Sequence, residues 1–307
     1  MAPNDLTKEK ADTARTWVAT SAWELRDIAH SWLAVPELHA LVEAAGGLDA
    51  RRVNDPEALR AWSSTHLDTR GHAERRDARA ATIPDSIRTP LIDAAHGLGL
   101  LKTSDASASN YQAIVILGGA TTGNALRTEL AARIAHKTTG WTLAGLSSDR
   151  ALTAAEHQSD PDSEDDHLEW ANLLRQVHAH FGPLSQETEK EVDGELQFTT
   201  VDRQKVRVLI APRDNQGRRP TTAQQLGFFC RHTPAADRNS VLLITNAIYA
   251  PYQFFAGAII LLENGSGRVE LIGANTTVDT TGDLIYQRIA QEIHSAILAA
   301  TDVITAR

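Results

Sequence analysis

Five short apolar, β-branched runs separated by helix-forming stretches constrain this chain more than any other feature. They span Gln112 to Leu117, Trp141 to Leu146, Lys205 to Ala211, Ser240 to Thr245 and Arg268 to Gly273. Runs this short and this continuously apolar suit strands covered on both faces. The segments between them repeat apolar residues at helical spacing, as Leu126, Leu130 and Ile134 do after the first run and Leu168, Leu173, Leu174 and Val177 do after the second. Strands alternating with helices connect through right-handed crossovers, so the expected class is α/β with a mostly parallel five-stranded sheet flanked by helices. Ligands of such sheets sit outside the carboxyl ends of the strands, where the strand order reverses.

Upstream of Asn110 the pattern is helical. Val18, Ala22, Leu25, Ile28 and Trp32 predict one amphipathic helix over 13–34. Pro36 opens a second with Leu38, Leu41, Val42 and Ala45, which stops at Gly46 and Gly47. Asp55 and Pro56 open a third toward Leu59 and Trp62, and a fourth is expected from Pro90 to Leu101. The polar run Lys102 to Asn110 reads as a linker, which divides the chain into a helical region, 1–105, and an α/β domain, 106–307. The arginine-rich stretch from His66 to Arg79 is polar on every face; a solvated helix or loop is its simplest reading.

Composition narrows the function. Thirty Lys plus Arg against 39 Asp plus Glu give a net charge of −9, which argues against broad binding to nucleic acid or anionic membrane. The single cysteine, Cys230, excludes an intrachain disulfide, and no Cys/His cluster has zinc-site spacing. The N-terminal stretch is polar, and no apolar run reaches the roughly 18 residues of a membrane helix. A soluble, cytoplasmic protein is expected, with an unassigned oligomeric state.

The residues after each run supply the candidate site. YQAIVILGGATTGNALR, Tyr111 to Arg127, reads as a buried strand, a turn at Gly118 and Gly119, and a helix start that offers backbone N–H groups to an anion. It matches neither GxGxxG nor a Walker A loop. The other loops are Ser147 to Arg150, Pro212 to Thr222, Asn246 to Tyr252 and Asn275 to Thr277. Arg127, Arg150 and Arg213 are candidate anion partners, because a guanidinium fork matches phosphate or carboxylate. Arg150 has Glu156 as an alternative ion-pair partner. Thr121, Asn124, Ser147, Thr222, Asn246, Tyr249 and Tyr252 complete the ligand-binding set, with helix capping the competing role at Thr221 and Thr222. Glu156 is the candidate general base. Ser147 and Ser148 lack the GxSxG elbow, and Cys230 reads as a buried structural thiol. The acidic run Ser159 to Asp166, with His157 and His167, reads as a surface loop and is assigned no metal.

The order of pieces from about 112 to 300 resembles the DUF218 (YdcF-like) family, which has envelope-associated and cytoplasmic bacterial members. The resemblance rests on a strand ending in a glycine pair, Gly118 and Gly119; a helix arginine, Arg127; and a small-residue turn, Ser147 and Ser148, followed by a glutamate at Glu156. It continues in a helix start at Thr221 to Gln225 and a strand end at Thr245 and Asn246. The family's Glu-Asn pair is replaced here by Gln224 and Gln225, and its downstream His and Arg by Tyr249 and Tyr252. The resemblance implies a Rossmann-like domain with a polar cleft, for which S-adenosylmethionine or another nucleotide-like compound is a candidate ligand. Two functions are therefore expected to compete. One is a transferase or hydrolase acting on a small anionic metabolite, with Glu156 as base. The other is a noncatalytic sensor of S-adenosylmethionine or a nucleotide, favoured by the replaced ionisable residues.

Overall fold

The computed structural model describes residues 14–69, 82–160, 166–182, 187–192, 195–200, 206–213, 217–275 and 283–306. Its strands are β1 (Trp17–Ala19), β2 (Ala113–Leu117), β3 (Thr142–Ser147), β4 (Glu187–Val192), β5 (Glu195–Thr200), β6 (Val206–Ile210), β7 (Ser240–Asn246) and β8 (Arg268–Ala274). They form one sheet in the order β1-β8-β7-β2-β3-β6-β5-β4. The five runs read from the sequence are β2, β3, β6, β7 and β8, and every pairing among them is parallel. Three further strands add antiparallel pairing at the two sides, β1 on β8 and the β4–β5 pair on β6.

The helices are α1 (Ala22–Leu33), α2 (Pro36–Ala45), α3 (Pro56–His66), α4 (Asp85–Gly97), α5 (Thr121–Ala135), α6 (Ala154–Ser159), α7 (Glu169–Phe181), α8 (Thr222–His232), α9 (Ala250–Glu263) and α10 (Asp283–Thr305). Two expectations upstream of the sheet need correction. The helix expected over 13–34 begins only at Ala22, capped by Ser21, whose side chain accepts from the N–H of Glu24. The residues before it are β1, where Trp17 and Ala19 are fully buried and Val18 is not. That alternation has period two, and pairing with the otherwise open edge of β8 outweighs the helical spacing. The fourth helix starts at Asp85 rather than Pro90, so Pro90 lies inside it.

Strand side chains divide between two apolar clusters, as both-face burial requires. Ile114 and Ile116 of β2 join Leu242 and Ile244 of β7 beneath α5 and α7. Ala113, Val115 and Leu117 point the other way, into a cluster that includes α8, α9, α10 and the helices α1 to α4. The N-terminal helices therefore share a core with the sheet. Trp17, Trp32, Phe254 and Phe255 meet there at ring-centroid distances of 5.3 to 5.8 Å. Truncating one such buried aromatic side chain costs about 3–5 kcal/mol.

The 102–110 segment is fastened along β8 rather than spanning open space. The Thr103 hydroxyl accepts from the N–H of Gly273 at 2.7 Å. The buried Glu270 carboxylate accepts from the Ser107 N–H and hydroxyl, the Tyr111 hydroxyl and Arg268. Most of the arginine-rich stretch, 70–79, lies outside the described residues, as do 161–165 of the acidic run and 276–277 of the last candidate loop. Among the described residues, no helix is long and apolar enough to cross a membrane.

Candidate functional site

The strand order reverses at β2: chain connections run outward through β3 and β6 on one side and through β7 and β8 on the other. The turn after β2 and the turn after β7 thus face each other at the carboxyl end of the sheet, where an open α/β sheet leaves a crevice. Arg127, one turn and a half into α5, fastens these two turns. It is 2% exposed. Its Nη1 donates to the carbonyls of Leu117 and Gly118, and its Nε donates to the Asn246 side-chain oxygen at 2.8 Å. Its guanidinium also lies 5.7 Å from the Tyr249 ring centroid.

The glycine pair owes its identity to space. A Cβ on Gly118 would lie 2.3 Å from the Leu146 carbonyl oxygen, and one on Gly119 would lie 3.0 Å from Arg127 Nη1. The Gly119 N–H donates to Asn124 Oδ1 at 2.9 Å, and Asn124 in turn donates to Asn172 of α7. Asn172 donates to Asp160 and Asp166, which Arg175 also binds. The ends of the acidic run are therefore tied, through two buried asparagines, to the turn after β2.

A second group gathers on the β3 side. Arg150 donates through Nη1 and Nη2 to both oxygens of Glu156, at 2.8 and 2.7 Å, and through Nε to Glu169 at 2.8 Å. The Ser147 hydroxyl donates to the other Glu169 oxygen at 3.2 Å. Glu156 is also the third residue of α6, where it forms a capping box with Thr153. Burial by itself would raise the Glu156 pKa; hydrogen bonds from Arg150 and the Thr153 backbone outweigh it and hold the carboxyl at about 2. The hydrogen bonds that Arg150 donates to Glu156 keep its own pKa above the ordinary value against the effect of burial. A carboxylate this acidic and this fully engaged is a weak proton acceptor at neutral pH. Thr121 joins the two groups, donating from its hydroxyl to the Glu156 carbonyl at 3.1 Å.

The remaining candidates lie at the margins. Arg213 is exposed and pairs with Asp149 at 2.8 Å, bridging the loops after β6 and β3. Thr221 caps α8 in a capping box with Gln224, so both side chains serve the helix start. Thr222 is buried at the first position of that helix and accepts from Gln253, which itself accepts from Thr245. Tyr252 is half-buried and packs against the larger apolar cluster. Cys230 is buried, which pushes its thiol pKa up. Among the described residues, no group of three or more His, Cys, Asp and Glu is placed to hold a metal ion.

No family model, curated protein or solved structure matches the chain. Gly118, Gly119, Asn124, Arg127, Asn246 and Tyr249 meet where the turns after β2 and β7 approach, with Thr121, Ser147, Arg150 and Glu156 beside them. Arg213, Thr222 and Tyr252 stand farther out, held in contacts of their own.

Four helices start at this end, after β2, β3, β6 and β7, and they are not alike. α6 and α8 are closed by capping boxes at Thr153 and Thr221. α5 starts at Thr121 behind the N-cap Ala120, whose methyl group cannot accept a hydrogen bond, and α9 likewise has no side-chain cap at Tyr249. Sequence reasoning passed over Glu169, Asn172 and Arg288. Glu169 carries a weak signal as an acidic first-turn residue before an apolar helix. Arg288 carries none, because α10 brings it to Tyr249 only through tertiary packing.

Proposed function

We propose that the chain binds a small anionic, nucleotide-like metabolite in the crevice between the turns after β2 and β7. The observation that carries this reading is the strand-order reversal at β2, where the Gly118–Gly119 turn leads into the N-terminus of α5 and Arg127 ties that turn to the one after β7. Such a helix end favours phosphate or carboxylate oxygens. The parallel-strand order from β6 through β3, β2 and β7 to β8 supports a Rossmann-like label. S-adenosylmethionine is a candidate ligand through the sequence resemblance to DUF218 alone.

Binding without turnover ranks ahead of transferase or hydrolase activity in this proposal. The assigned base, Glu156, is occupied by Arg150 and the α6 cap and is held at about 2. Thermal-shift screening against S-adenosylmethionine, nucleotides and phosphorylated metabolites tests the site; a ligand at 100 times its Kd stabilises by about 2.7 kcal/mol. Mass analysis after incubation with each hit tests turnover. Product formation would restore the enzymatic reading, and no stabilisation by any compound would count against both.

A further inference from the structure

Arg288 projects from the second turn of α10 onto Tyr249. Its Nη2 donates to the phenol oxygen, and its guanidinium carbon lies 5.5 Å from the ring centroid. Its Nε is buried and has no hydrogen-bond partner. Among the described residues, the other buried or half-buried arginines face carboxylates, as Arg88 does with Asp85 and Asp283, or carbonyl oxygens, as Arg26 and Arg238 do. Arg288 has only a neutral hydroxyl.

A partly buried cation without an acceptor of matching charge is costly to the fold unless something else supplies the negative charge. Tyr249 is also approached by Arg127, so positive charge concentrates around one ring at the turn after β7 in a protein of net charge −9. The Tyr249 hydroxyl takes one Nη2 donor and, with Nε buried, leaves the other Nη donors for an oxyanion. A guanidinium edge held in this way binds two oxygens of phosphate at once, which an ammonium cannot do.

We infer that Arg288, positioned by Tyr249, binds an oxyanion of the ligand at the crevice. The inference rests on the binding function proposed above and adds the residue that selects for charge. Its test uses the full chain with inorganic pyrophosphate, ADP and adenosine as probes, in calorimetric titrations at fixed ionic strength.

Wild type is expected to bind pyrophosphate and to prefer ADP to adenosine. Arg288→Gln is expected to weaken pyrophosphate and ADP by about tenfold or more while leaving adenosine within about threefold. Arg288→Lys falls between them, because it keeps charge and loses the fork. Tyr249→Phe weakens the anions less than Arg288→Gln does. A folded Arg288→Gln protein, checked by circular dichroism, that binds pyrophosphate and ADP as wild type does would overturn the Arg288 assignment and leave the crevice reading standing. Should that variant fail to fold, Arg288→Lys with wild-type affinity for both anions would overturn it equally. Pyrophosphate binding that depends on Arg288, without binding of any nucleotide or adenosyl compound, would support the inference and sink the nucleotide-like reading. No binding of any probe by wild type would overturn both.

Discussion

Glu156→Gln removes one negative charge from the Arg150 cluster and keeps an amide oxygen that can still accept from the Thr153 N–H, so the α6 cap is largely preserved. What is lost is the ion pair. The Glu156 side chain is 14% exposed and Arg150 is 18% exposed, so solvent screens the pair only partly. A fall in pKa from 4.5 to about 2 corresponds to about 3 kcal/mol at about 1.4 kcal/mol per unit. Because the folded-state value is the lower one, this stabilisation is complete above about pH 5 and is lost as pH falls toward about 2. Urea unfolding of wild type and variant, followed by tryptophan fluorescence, should therefore show a gap of about 3 kcal/mol near neutrality that narrows steadily with acidification. A gap below about 1 kcal/mol near neutrality, or one that does not narrow in acid, would refute the reasoning. It would also free Glu156 for a chemical role.

Other perturbations probe the same end of the sheet. Gly118→Ala places a methyl group 2.3 Å from the Leu146 carbonyl oxygen; thermal unfolding should show destabilisation at or above the upper end of the ~1–3 kcal/mol typical of overpacking. Arg127→Met leaves the Leu117 and Gly118 carbonyls and Asn246 without their donor, and a loss of about 3 kcal/mol is expected in denaturant titration. Thr221→Ala removes the α8 cap and should cost about 1 kcal/mol in the same assay, without changing affinity for any ligand held at the α5 start.

The parallel core was legible because each of its strands is a compact apolar run whose neighbours on both sides break toward polar residues. β1 was not, since three residues, Trp17 to Ala19, become a strand only by meeting an edge some 250 positions away. The β4–β5 pair was passed over because its sequence, Glu187 to Thr200, is polar; the Asp193-Gly194 dipeptide inside it is the hairpin signal that could have been used. At the site, residue types were easier to read than their employment. Arg150 and Glu156 are near in sequence, so their pairing is legible from spacing alone. Glu169 joins them from the start of the next helix, and Arg127's commitment to carbonyls depends on how the ends of β2 and β7 approach.

The shared core of α1, α3, α4 and α10 also orders events during synthesis. Arg26 of α1 donates to the carbonyls of Val303 and Ala306, Arg60 of α3 pairs with Asp302, and the Ser63 hydroxyl meets His294. Helices made early therefore hold apolar faces whose partner is not translated until residues 283–306 emerge. The usual N-to-C order of folding on the ribosome is closed to this region, and a nascent chain halted before α10 would display Leu25, Ala29, Leu59 and Trp62 to chaperones in place of a finished surface.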